Sequence, residues 1–132
     1  MRTVIFDLDG TLADTSADLI AAANACFCGM GAGNMLDPVT DALTAFHGGR
    51  AMLRLGFARL GNGSEVDVDA QYPLLLAAYE ADIDRETRLY PGAVQAIEAL
   101  RSADFRLGIC TNKPEYLAEI LLTRLGTRLK AR

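Results

Sequence analysis

Two aspartates one residue apart, followed by glycine and threonine, end a short apolar run: Thr3-Val4-Ile5-Phe6 leads straight into Asp7-Leu8-Asp9-Gly10-Thr11. An aspartate carboxylate can attack phosphorus and so divide a hydrolysis into two steps. Aspartate oxygens are also the hard donors that Mg²⁺ prefers. An acidic turn that only caps a strand end is the plainer alternative. A second polar group, Thr111-Asn112-Lys113-Pro114, follows another apolar stretch, Phe105 to Cys110. A helix starting there would turn its positive end toward an anion, or Thr111 and Asn112 would simply cap that helix. His47-Gly48-Gly49-Arg50 is the third cluster. Glycines let a loop come close to a site, and Arg50 could fork onto a substrate carboxylate; a helix-linking turn with a solvated arginine explains the cluster equally well. His47, the sole histidine, has no companions at triad or metal spacing and reads as incidental.

The elements that must position these groups follow from the pattern. Thr3 to Phe6 is continuous rather than alternating, as in a strand buried on both faces, and Gly10 marks where the chain turns. Thr15 with Asp18 resembles a capping box, opening a helix with Leu19, Ile20, Ala23, Phe27 and Met30 on one stripe. Asp37-Pro38 reads as N-cap and first helical residue, with Val39, Leu43 and Phe46 inward. A further helix covers about Arg50 to Leu60. Another runs from around Asp69 or Pro73 to Ile83, its start blurred by the proline. After Tyr90-Pro91-Gly92, Val94, Ile97 and Leu100 mark an amphipathic helix, Phe105 to Cys110 a second buried strand, and Leu117, Ile120, Leu121 and Leu125 a last helix stopped at Gly126. No internal repeat or low-complexity segment is present. The order is strand, helical block, helix, strand, helix. It predicts an α/β core, residues 1–14 and 88–132, with an inserted all-helical cap, residues 15–87. Ligands of open parallel sheets bind beyond the carboxyl ends of the strands. Asp7, Asp9, Thr11, Thr111 and Asn112 therefore share one edge if the two strands are parallel neighbours.

The totals narrow the function classes. The 132 residues, 51% hydrophobic and 23% charged, fit an ordinary globular domain. A formal charge of −4 argues against nucleic acid, which calls for clustered excess Lys and Arg. No apolar stretch is long enough to span a membrane, and the first apolar run is too soon broken for a signal peptide. A cytoplasmic location is expected. Three cysteines make no disulfide framework. Cys26 and Cys28, two apart in a helical pattern, point away from each other, and Cys110 reads as packing.

The two motifs together resemble those of the haloacid dehalogenase-like hydrolases: Asp7-Leu8-Asp9-Gly10-Thr11 after Val4-Ile5-Phe6 as the first, and Thr111-Asn112 after Leu107-Gly108-Ile109-Cys110 as the second. Asp14-Thr15, the helical insertion, Leu89-Tyr90-Pro91-Gly92 and Thr111-Asn112-Lys113-Pro114 make the chain most similar, within that family, to the phosphoglycolate phosphatases. The resemblance covers residues 1 to 126. It implies a Rossmann-like parallel-sheet core and Mg²⁺-dependent hydrolysis of a small phosphate monoester, a phosphorylated metabolite such as 2-phosphoglycolate. Asp7 would be the nucleophile, forming an aspartyl-phosphate. Asp9 would donate a proton to the leaving alkoxide and take one from the attacking water. The Asp7 carboxylate and the Asp9 backbone carbonyl would hold the metal. Gly10, Thr11, Thr111 and Asn112 would receive the phosphoryl group, and Gly49 and Arg50 are the candidates for substrate choice. An acid at Asp9 favours a phosphate ester over a halocarbon, whose halide leaves without a proton.

Lys113 invites a role as phosphate counter-ion, but the family's usual lysine lies further along, so Lys113 reads as a loop residue. That lysine and a later acidic motif have no counterpart after Gly126. The core is therefore expected to be incomplete, and this form to be either impaired, acting only in binding or association, or completed by a partner. Self-association through open strand edges is part of that expectation. A receiver-like domain, which also uses an aspartyl-phosphate, would need its accepting Asp after a later strand, and the strand ending at Cys110 is followed by Thr111.

Overall fold

In a computed structural model that describes residues 2–129, the first apolar run forms strand β1, Thr3–Phe6. Met1 and residues 130–132, the outer limits of the expected core, lie outside the described residues. The order continues with β2 (Ala13–Asp14), α1 (Ser16–Gly29), α2 (Ala42–Phe46), α3 (Gly49–Leu60), α4 (Glu65–Ala81), β3 (Arg88–Leu89), α5 (Ala93–Ser102), β4 (Arg106–Ile109) and α6 (Glu115–Arg124). This is a mixed α/β fold with a small parallel sheet and several helices. The described residues divide into two compact units, 2–14 with 87–129, and Thr15–Glu86. No described helix is long and apolar enough to cross a membrane.

In the first unit β1 and β4 are parallel neighbours, with Thr3 opposite Arg106 and Phe6 opposite Ile109. A parallel pair needs a long crossover, and α5, which ends just before β4, packs against it. Leu8, Ile97, Ile109, Leu117, Leu121 and Leu122 are buried in this unit. The full burial expected of β1 is not reached: Ile5 is 53% exposed. A continuous apolar run reports what a strand can tolerate, whereas burial depends on its neighbours, and in this two-stranded sheet each strand keeps an open edge. The sequence pattern also gave no warning of β2 and β3. These pair antiparallel, Ala13 with Leu89 and Asp14 with Arg88, at the points where the chain departs for residues 15–86 and returns. Two residues are too few to show any period.

The second unit is all helical. Helix α1 buries Leu19, Ile20, Ala23 and Phe27, while Met30, expected on the same stripe, is exposed. Phe27 meets Phe57 edge-to-face, with centroids 5.3 Å apart. The ring of Phe27 also lies on Gly56, where a Cβ would stand 2.1 Å from Cζ. Helix α3 can pack so closely only because that position carries no side chain. Met52, Leu53, Leu75, Tyr79 and Ile83 complete the core.

Three helix starts differ from expectation. Thr15 is the N-cap of α1 but makes no side-chain capping bond. Asp18 instead accepts the Glu86 N–H with both oxygens, at 3.1 and 2.9 Å, joining the two ends of the unit. Asp37 does not open α2. Its carboxylate accepts the N–H groups of Val39 and Thr40 in a turn, at 2.8 Å each, and the helix begins only at Ala42. Val39 and Leu43, expected inward, are exposed. Helix α4 starts earlier than expected, at Glu65, behind a capping box in which the Ser64 N–H donates to Asp67 at 2.9 Å. Pro73 lies within that helix without ending it.

Candidate active site

The polar residues singled out at residues 7–11 and 111–113 sit just beyond the carboxyl ends of β1 and β4. The sheet fixes the two ends side by side: Phe6 is opposite Ile109, and the Cys110 N–H donates to the Phe6 carbonyl at 2.9 Å. Each strand gives way to a tight turn. After β1, the fully buried Leu8 anchors that turn. Its carbonyl accepts from Thr11, Leu12 and Ala13 at 3.1–3.2 Å. Gly10 sits at φ +79°, a left-handed conformation that glycine adopts without the penalty a side chain would incur. This turn folds the chain back so that Asp9 lies beside Ala13 rather than continuing the strand away from the sheet.

Asp7, the first residue past β1, is exposed, and its Oδ1 accepts the Leu8 N–H at 2.8 Å. The N–H groups of Gly10 and Thr11 are committed inside the turn, to Ala13 and Leu8. Thr11 itself is exposed. Past β4, Thr111 Oγ1 accepts the Lys113 N–H at 3.2 Å, which leaves the hydroxyl proton available to a ligand. Asn112 is exposed, and α6 begins directly after Pro114.

The two turns meet through Lys113, which its sequence context marks only as a loop residue. Lys113 Nζ lies 3.3 Å from Asp9 Oδ1, with side chains only 4% and 14% exposed. Lys113 does stand in a loop, but its side chain is not a loop side chain in the usual sense. Burial holds its ammonium below the ordinary lysine range, with the Asp9 charge acting in the opposite direction. Nothing in the local pattern marks Lys113 for burial. The available signal is positional, since it comes after a strand whose end lies beside that of Asp9. Nearby, burial and the Asp14 charge push the Tyr90 phenol up, and the Tyr90 N–H donates to the Leu12 carbonyl.

Gly49 and Arg50 belong to the helical unit. Arg50 pairs with Asp69 at 2.6 Å and lies 4.1 Å over the ring of Tyr72. Gly49 is packed beneath that ring, where a Cβ would stand 2.9 Å from Cε1. Arg50 thus has partners inside its own unit, while His47 is exposed at the end of α2. Among the described residues no group of three or more His, Cys, Asp or Glu is gathered as a metal cage. The donors at the β1 turn are nonetheless of the right kind for Mg²⁺, which commonly takes one or two carboxylates together with substrate phosphate and water. The exposed Asp7 carboxylate leaves room for those other ligands. Cys26 is buried, Cys28 and Cys110 are exposed, and all three are free thiols.

The family model described as haloacid dehalogenase-like hydrolase matches residues 1–131. A phosphoglycolate phosphatase of Agrobacterium fabrum is 43% identical over 126 residues, covering 92% of this chain and 52% of that relative. One from Xanthomonas campestris pv. campestris is 38% identical over 129 residues, covering 95% and 55%. The chain therefore spans about half the length of the curated relatives it matches. A crystal structure described as a predicted phosphoglycolate phosphatase from Haemophilus somnus 129PT superposes with a TM-score of 0.77 at 20% identity, covering 99% of this chain and 62% of that one. At that identity it supports the fold alone.

Proposed function

The chain belongs to the haloacid dehalogenase-like hydrolases, and from that membership we propose that it hydrolyses small phosphate monoesters, 2-phosphoglycolate foremost, through an aspartyl-phosphate on Asp7. The choice of substrate leans on the names of the curated relatives. The observation that carries the chemistry is the contact between Asp9 and Lys113, which ties the turn after β1 to the turn after β4.

The roles follow from position. Asp7, exposed at the strand tip, attacks phosphorus, and the ester oxygen departs as an alkoxide that needs a proton. Asp9, one turn on and folded back by Gly10, would open its ion pair with Lys113 and act in its protonated form to give that proton. Later, as the carboxylate, it would take one from the water that cleaves the acyl-phosphate. The Thr111 hydroxyl and the Asn112 N–H hold the phosphoryl oxygens, with the start of α6 turned toward the same charge. The Asp7 carboxylate and the Asp9 carbonyl would hold Mg²⁺, which when bound shields the approach of an anion to a phosphate and orients both. The helical unit would act as a cap, with Gly49 and Arg50 as candidates for substrate choice.

The test is phosphate release from 2-phosphoglycolate by the full chain with and without Mg²⁺. Asp7→Asn keeps the shape and removes the nucleophile, so release should fall by at least about a thousandfold. Release that survives this change undiminished would overturn the assignment.

A further inference from the structure

We propose that Lys113 is an anion ligand of this site, its ammonium passing from Asp9 to a phosphoryl oxygen when a phosphate group enters between the two turns. This rests on the phosphatase reading of the site and adds a residue to it. Three observations point the same way. The Lys113 side chain is almost wholly buried at the strand ends rather than extended into water, although lysine is seldom buried without a partner. Its ammonium faces the turn that carries Asp7 and Asp9, at 3.3 Å from Asp9. Its backbone N–H is bonded to the hydroxyl of Thr111, so the lysine stem starts from the same turn that presents the phosphate-binding groups.

A phosphate dianion offers more charge and more acceptor oxygens than one carboxylate. Lysine, a compact charge on a flexible four-carbon stem, can follow it over a short distance. The Asp9 contact would then keep the buried cation compensated while no anion is present. Holding a charge beneath the sheet edge has a desolvation cost, and a ligand role gives that cost a purpose.

The sequence contains only two lysines, Lys113 and Lys130, which makes the test direct. The probe is inorganic phosphate, added with Mg²⁺ to the full chain. With lysine labelled in ¹⁵N and ¹³C, the Nζ and Cε signals of Lys113, distinguished by Lys130→Arg, should move as phosphate binds. By calorimetry, Lys113→Gln should weaken phosphate binding about ten- to hundredfold, the loss expected for a hydrogen bond to a charged group, and Lys113→Arg should recover part of it. Phosphate bound by the wild type with the Lys113 signals unmoved, or bound equally well by a folded Lys113→Gln, overturns this inference and leaves the phosphatase reading standing. A wild type that takes up no phosphate overturns both. The labelled unmodified chain gives its answer even if the glutamine variant fails to fold.

Discussion

Each of the two units joins a basic side chain to an acidic one, under opposite conditions. In the helical unit Arg54 grips Glu65 at 2.7 Å with side chains 53% and 65% exposed, and Arg50 meets Asp69 with both half in water. In the sheet unit Lys113 and Asp9 pair out of the solvent. Exposed pairs cost little to form and contribute little. A buried pair gives up the hydration of both ions and is weak evidence for stability. The helical unit therefore leaves these two pairs in water and takes its cohesion from Phe27, Phe57, Met52, Leu75 and Tyr79. The sheet unit places charge where it would be least expected on grounds of stability alone, and does so at the tips of its two parallel strands.

The largest effect separating the units should come from Gly56→Ala. The new Cβ would fall 2.1 Å from Cζ of a fully buried Phe27. A contact this short belongs above the usual range of overpacking costs, at about 3–4 kcal/mol, and less the roughly 1 kcal/mol that alanine gains over glycine in a helix it should destabilise residues 15–86 by about 2–3 kcal/mol. Urea denaturation followed by circular dichroism reads this loss. The Lys113 resonances under native conditions should stay put, and a shift in them would break the comparison by coupling the two units.

Much of this arrangement was legible in the residues themselves. Both strands that carry the motifs, their order around a helical block and the turn at Gly10 follow from runs of apolar type and from glycine placement. Expectation and structure part where one local signal has two physical outcomes. Asp37 before a proline suits a helix cap, but the same carboxylate closes a turn on Val39 and Thr40. The Ser64 and Asp67 pair was a plain capping box, overshadowed by Pro73 downstream. Lys113 could not be assigned locally at all. Whether an ammonium in a turn meets water or a carboxylate depends on the neighbouring strand, and only the parallel register of β1 and β4 decides it.

A smaller effect, of intermediate character, should come from Asp41. This aspartate is buried in the helical unit and receives both arms of the half-exposed Arg59 at 2.7 Å each. The guanidinium beside it, with the Asp37 N–H, lowers its carboxyl to about 2. The unfolded value lies near 4, so the folded state binds the proton less readily. The stabilisation is complete above about pH 4 and disappears as pH falls from about 4 to about 2. It should amount to about 1–2 kcal/mol, discounted for the water that reaches Arg59. Asp41→Asn should remove that acid limb from the pH dependence of the urea midpoint. A limb unchanged in the variant would assign acid sensitivity to other carboxylates.

The smallest effect should come from Arg54→Gln. On geometry alone the Arg54–Glu65 pair is the better made one, with two contacts from Nε at 3.0 Å and a third from Nη2 at 2.7 Å. The pairing moves both groups in the expected directions, Glu65 below the ordinary carboxylate range and Arg54 above its own. Both side chains are bathed in water, however, and screening by solvent and salt reduces the attraction between them. The urea midpoint of Arg54→Gln should therefore match the wild type within error in about 0.15 M salt. A loss as large as that of Asp41→Asn would mean that contact geometry outweighs burial in this protein, and the contrast between the two units would fail at its weakest pair.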